Sequence, residues 1–285
     1  MSGRRDGWRF LLSRRWISYF VLLVVFAIAC GFLSAWQFDR RDQRVVENER
    51  VAANYDAEPV PLAEALPELD GFDPELEWLP VLLEGEYLVD EQVLVRARPR
   101  DGMPGFEILT PFRTDEGRVL IVNRGWLHTG SVQDYPDHVP APPEGRLEVT
   151  ARLKPGEREV PGRSAPEGQI ATIHLPDLAE RIGGEVHTGA YGLLRTESAP
   201  AEHGALVNRP AESEGNHLSY AFQWIIFAIV AAVGLVHGVR EEFRERNEGD
   251  PRVIAARRRA RERAQRRGPT DADEEDALLD AAERR

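Results

Sequence analysis

Of the seven histidines in this chain, one stands where an imidazole has chemistry open to it. His217 opens an uncharged apolar run, in Glu214-Gly215-Asn216-His217-Leu218-Ser219-Tyr220-Ala221-Phe222-Gln223-Trp224. On a helix, His217, Tyr220, Ala221 and Trp224 stand at i, i+3, i+4 and i+7 and share a face. That face offers an imidazole at a membrane border, two aromatic plates and a small gap. Imidazole ligates haem iron and aromatic rings pack a flat macrocycle, so an iron-bearing tetrapyrrole suits it. The same residues also read as an interfacial histidine beside an aromatic belt, and residue chemistry alone leaves both readings open. His138, His174, His187 and His203 lie in polar or loop contexts and read as surface residues. His128 reads as a solvated strand end, and His237 lies near the far end of the same apolar run.

Other chemistries fail on their residue requirements. Cys30 is the only cysteine, and Met1 and Met103 are the only methionines. That excludes a disulfide within one chain, a cysteine zinc site and a soft-metal carrier built on thiolates or thioethers. No phosphate-cradling glycine loop, His-Glu-x-x-His helix or Gly-x-Ser-x-Gly elbow is present. Carboxylates are plentiful, so no particular pair is marked out, and an enzyme is not the expected reading.

The element that must position His217 is a membrane helix, and it has a counterpart near the start of the chain. Ile17–Phe38 and Leu218–Val239 are each uncharged for about 22 residues, roughly 33 Å of helix, enough to cross a hydrocarbon core of about 30 Å. Residues 1–15 carry a net +4 and residues 240–267 a net +5, whereas residues 39–216 carry −16. Positive flanks stay in the cytoplasm, so both termini are expected inside and the acidic middle outside. Arg40, Arg41 and Arg44 run against that rule, but Asp39 and Asp42 are mixed among them. Trp16 and Tyr19 mark the inner border of the first helix and Trp36 its outer border. Tyr220 and Trp224 lie in the outer part of the second. Ser13-Arg14-Arg15-Trp16-Ile17 and Ala27-Ile28-Ala29-Cys30 resemble export and lipoprotein signals. The apolar run is too long for the first and continues past Cys30 against the second, so an uncleaved anchor is expected. Ala27, Gly31 and Ala35 on one helix, and Ala228, Ala232, Gly234 and Gly238 on the other, form small-residue stripes expected to face a neighbouring helix.

The expected organisation is therefore a basic N-terminus (1–16), a first transmembrane helix (17–38), an extracytoplasmic domain (39–217), a second transmembrane helix (218–239) and a charged cytoplasmic tail (240–285). Residues 37–54 are polar and extend the first helix. Strands are expected at Val81–Tyr87, Gln92–Arg98, Phe106–Phe112, Val119–Asn123, Leu147–Leu153 and Tyr191–Arg195. A short helix is expected at Leu175–Ile182 and a proline-rich loop at Asp134–Pro143. The fold class is α+β, with two membrane helices flanking a mainly β domain (or small barrel) that carries one or two short helices. The basic part of the tail reads as a helix or a solvated segment, and its acidic end as disordered.

Three blocks of residues resemble one known family. Leu33-Ser34-Ala35-Trp36-Gln37-Phe38-Asp39-Arg40 resembles its Leu-Gly-x-Trp-Gln-x-x-Arg motif, with Ser34 in place of the usual glycine. Arg98 to Pro111, with Gly105-Phe106-Glu107-Ile108-Leu109-Thr110-Pro111, and Val122-Asn123-Arg124-Gly125-Trp126 form the second block. His128 sits where that family often has proline. Asn216-His217-Leu218-Ser219-Tyr220-Ala221-Phe222-Gln223-Trp224 is the third. Over roughly residues 15–245 the chain resembles the Surfeit-locus-one family of cytochrome c oxidase assembly factors. The resemblance implies a haem a chaperone of the inner membrane, with haem held transiently near the outer face and passed to oxidase subunit I. It also implies contact with subunit I and with the haem a synthesis machinery, beside the lipid bilayer and without nucleic acid. A scaffold that binds oxidase subunits without ligating haem is the alternative. His217 matches the family's iron-binding position, with Tyr220, Trp224, Trp36 and Gln37 around it. Arg40, Asn123, Arg124, Gly125, Trp126 and Asn216 are implied as partner-contact or structural residues, and Arg124 as a possible facing group for a haem propionate.

Overall fold

The first apolar run continues without a break into its polar extension. In the computed structural model, which describes residues 7–267, α1 spans Arg14–Asn54. The extension holds neither glycine nor proline and is rich in Arg, Glu, Gln and Ala, all compatible with a continuing helix. Its last turns are fixed by packing. Val51 is buried in the core of the β domain, Glu47 accepts from the Trp78 indole at 3.2 Å, and Arg50 pairs with Glu47 and Glu77.

The chain divides into two compact units, residues 42–214 and the segments on either side. The first unit is built on a sheet of eight strands. β1 (Val60–Pro61) is followed by the short α2 (Leu62–Ala65), then β2 (Pro80–Tyr87), β3 (Val93–Val95), β4 (Gly105–Thr114), β5 (Val119–His128), β6 (Leu147–Pro155) and β7 (Gln169–Ile170). α3 (Leu175–Ile182) and β8 (Ala190–Glu197) complete it. β2 pairs antiparallel with β6 and, through its last three residues, with β4. β4 pairs with β5, β5 runs parallel to β8, and β8 returns antiparallel to β6. Five strands therefore close on themselves, and the strand order around the ring, with its single parallel pair, is that of an OB-type barrel. β1 adds to β2, and β3 and β7 add beyond β4.

Closure turns on Gly85, which pairs with Leu147 on one side and Thr114 on the other. A Cβ there would lie 2.0 Å from the Arg113 carbonyl oxygen, so only glycine lets β2 cross from one neighbour to the next. Leu83, Phe112, Leu120, Val122, Val149 and Leu194 fill one core. Val95, Leu109, Val119, Ile121 and Leu193 form a second on the opposite face, covered by Leu175 and Leu178 of α3. Successive residues of β5 alternate between the two cores, which explains its continuous apolar run.

Several expectations change in detail. The strand expected over Gln92–Arg98 shrinks to Val93–Val95, because Ala97 takes φ +57 and leaves the extended region. β5 runs on to His128. β1 and β7, of two residues each, carry no sequence pattern to find. His187 is not a surface residue: it is 1% exposed, and burial, with the Arg118 charge second, holds its pKa below the usual imidazole value.

In the other unit, α4 spans His217–Arg246 and α5 Pro251–Arg267. α1 and α4 are long and apolar enough to cross a membrane. They pack antiparallel: Ser34 and Phe38 meet Ala221 and Phe222, whereas Arg15 pairs with Glu242 at 2.6 Å. The seam is displaced from the expected stripe on α1. Cys30 and Ser34 are buried, while Gly31 and Ala35 are exposed and a Cβ on Gly31 would meet nothing within 4 Å. Ser34 is larger than the glycine of the motif, yet its hydroxyl donates to the Ala221 carbonyl at 3.1 Å. The basic half of the tail is helical as α5, and the acidic end after Asp271 lies outside the described residues.

Candidate functional site

Two of the expected site residues meet across the helix pair. His217 is the first residue of α4, and Gln37 lies on α1 in the half-buried position that faces it. The His217 Nδ1 and the Gln37 Oε1 are 2.8 Å apart. Because the amide oxygen accepts, Nδ1 is the donor, and in the neutral ring the lone pair then lies on Nε2. The pair is held from one turn below. Ser34 stands three residues before Gln37 and Ala221 four after His217, and these two are joined by the Ser34 hydrogen bond. The Phe38 ring adds an edge contact with Phe222 at 6.1 Å between centroids.

The other residues expected around His217 take looser positions. Asn216 is the N-cap of α4 without a capping side-chain bond. Tyr220 is exposed, and Trp224 is half-buried with its ring edge-on to Phe227 at 5.8 Å. Trp36 is exposed, with the Arg40 guanidinium 5.8 Å from its ring. Gly215 has φ +67, and a Cβ on it would stand 3.4 Å from Nε2 of His217. An imidazole whose Nδ1 donates to a neighbouring side chain has Nε2 left for a metal, so the residues present fit a histidine-ligated haem.

The second motif block lies in the barrel and is used there. Between Leu109 and Glu107 β4 moves two residues while β5 moves three, from Asn123 to Trp126. The extra residue is a bulge at Arg124-Gly125, and Gly125 takes φ +109. Its Cβ would fall 2.6 Å from the Gly204 backbone, so the Asn-Arg-Gly-Trp motif is first a requirement of this crossing. Asn123 is buried, donates to Glu107 at 3.1 Å and accepts from the Gly125 amide at 2.9 Å. The Trp126 indole donates to the Arg98 carbonyl at 2.6 Å.

Arg124 corrects an expectation. It does not face a haem propionate or a partner: its side chain is wholly buried, with Nε donating to Glu197 at 3.0 Å and a terminal nitrogen to the Glu202 carbonyl at 3.0 Å. Tyr87 donates to the same Glu197 at 2.7 Å and lies under the guanidinium at 5.4 Å. Burial and the Glu197 charge raise the Tyr87 pKa far above its ordinary value, so it stays a donor. The contact reading fails for Asn123 as well, since it too is enclosed.

Glu107, Glu157, Glu197 and Tyr87 were not singled out by sequence reasoning. Arg98 bridges Glu107 and Glu157 at 3.4 and 2.7 Å. Burial raises the Glu107 pKa, with the Arg98 charge opposing. The sequence signal available was strand parity: Leu120, Val122 and Arg124 alternate onto one face, which places the arginine inward.

Comparison with known proteins bears on what these residues belong to. The family model described as SURF1 family matches residues 24–229, from within α1 to within α4. The chain belongs to the SURF1 family. An uncharacterized SURF1-like protein of Mycobacterium tuberculosis is 34% identical over 242 residues, which cover 83% of this chain and 88% of that protein. A SURF1-like protein of Rickettsia bellii is 20% identical over 224 residues, 76% of this chain and 88% of its own length. The cytochrome oxidase assembly protein SHY1 of Saccharomyces cerevisiae is 29% identical over 147 residues, 48% of this chain and 36% of its own. The SURF1 match takes in all three motif blocks, so the barrel bulge and the Gln37–His217 pair both lie inside the family region.

Proposed function

We propose that this SURF1-family chain is a non-catalytic assembly factor for haem-copper cytochrome c oxidase that holds haem a through His217 and aids its insertion into subunit I. The observation that carries the haem part is the His217–Gln37 pair: a half-buried imidazole, oriented from the neighbouring helix, at the end of two helices that suit a membrane. The oxidase part rests on family membership and on the assembly role named for the yeast relative. The arginine-rich flanks support a reading with both termini in the cytoplasm, in which His217 lies at the outer face of the inner membrane. Tyr220, Trp224 and Trp36 would offer aromatic surface to the macrocycle, and His217 would hold its iron through Nε2. Subunit I and the haem a synthesis machinery are the partners.

The test is purification of the full chain and of His217→Ala from cells that make haem a, with haem content and co-purifying oxidase subunits measured together. The expected result is haem in the wild type and little in the variant. Equal haem in both would remove the ligation claim. Oxidase subunits co-purifying with a wild type that carries no haem would instead favour a scaffold.

A further inference from the structure

The pair that orients His217 also decides which of its nitrogens meets a ligand. We propose that Gln37 is a positioning residue that holds His217 in the Nδ1–H tautomer and so presents Nε2 as the iron-facing nitrogen; this rests on the haem reading above. In water a neutral imidazole prefers the opposite tautomer, with the proton on Nε2. An acceptor fixed at Nδ1 reverses that preference, and Gln37 Oε1 at 2.8 Å is such an acceptor.

Three further features serve the same end. The Ser34–Ala221 hydrogen bond and the Phe38–Phe222 contact set the register of the two helices one turn away, so Gln37 is presented at a fixed height. The half-buried setting of both side chains limits competition from water for Nδ1. Gly215 adds no side chain beside Nε2, where a Cβ would stand at 3.4 Å. Gln37 of the first motif and His217 of the third, 180 residues apart, thus act as one unit. Such partners of a metal-bound histidine typically change metal affinity by about 10–100-fold when removed.

The experiment has a readout that needs no haem. Full-length protein labelled with 15N-histidine in lipid nanodiscs reports the tautomer from the two ring-nitrogen shifts of His217, assigned by loss of the signals in His217→Ala. The wild type is expected to show Nδ1 protonated, Gln37→Leu to move the population toward Nε2–H, and Gln37→Glu, which keeps an acceptor, to restore the wild-type pattern. Titration with ferric haem a is then expected to show at least about tenfold weaker binding for Gln37→Leu and near-wild-type binding for Gln37→Glu. An unchanged tautomer in Gln37→Leu, or a changed tautomer with unchanged haem affinity, overturns the role of Gln37. Equal haem binding by the wild type and His217→Ala overturns the underlying haem reading instead, and the tautomer result then stands as a structural finding alone.

Discussion

The barrel and the helix pair treat their polar motif residues in opposite ways. In the barrel, Arg124, Glu197 and Tyr87 are sealed in and bonded to one another, and Asn123 is tied to Glu107 and to its own turn. In the helix pair, His217 and Gln37 meet only half-buried, through the Nδ1 of the ring. The contrast teaches that residues shared by a family motif need not share a purpose. Those of the barrel hold a bulged crossing in shape, whereas those at the helix ends meet across a seam at the proposed haem site. Substitutions should therefore separate cleanly: barrel variants lose stability, and helix-end variants lose ligand binding on an intact fold.

The largest effect is expected at Arg124. Arg124→Ala leaves Glu197 buried without its cation, which costs about 3–5 kcal/mol for a broken buried pair. Thermal unfolding of the full chain in detergent should show a large loss of cooperativity or midpoint, and a variant as stable as the wild type would erase the contrast. Gly125→Ala follows. The φ of +109 costs roughly 1–3 kcal/mol for a residue with a Cβ, and contact with Gly204 adds to it. Resistance to limited proteolysis should fall, with release of the Gly204 segment from β5 as the cause.

A smaller, pH-dependent effect belongs to Glu107. Its folded pKa is raised by burial, so the folded state binds its proton more tightly than the unfolded chain does. Stability from this group therefore rises as pH falls from neutral through the raised pKa and levels off below the ordinary carboxylate value. Glu107→Gln should remove that slope from a plot of unfolding midpoint against pH, and an identical slope in the variant would assign it elsewhere. The smallest effect is expected at Ser34. Ser34→Ala loses one hydrogen bond between helices, worth about 0.6 kcal/mol in a membrane protein, and is read most sensitively as a loosening of the 15N shifts of His217.

Much of this architecture is legible in the sequence, and the physical reason is locality. Uncharged runs of membrane length, Leu175–Ile182 with its N-terminal proline, and the alternating strands are all decided by residues near one another. What is not legible depends on distant partners. Barrel closure needs Gly85 to pair with Leu147 and Thr114 at once, and nothing around Gly85 says so. The seam of the helix pair falls on Cys30 and Ser34 rather than on the smaller Gly31 and Ala35, and Ser34 meets there an Ala221 carbonyl 187 residues away. Strand parity turns Arg124 inward, but the Glu197 that neutralises it stands 73 residues away and nothing near Arg124 names it. At the candidate site, His217 was recognisable from its place at a membrane border. Its orientation was not, since Gln37 reaches it only through the packing of two helices from opposite ends of the chain.

The central claim is that haem a is held by the imidazole at the start of α4. The most direct measurement is a Soret-band titration of purified wild type and His217→Ala with ferric haem a, each first shown to unfold at the same temperature. Saturable binding by the wild type with at least about tenfold weaker binding and an altered spectrum in the variant is the predicted result. Identical spectra and affinities would contradict it.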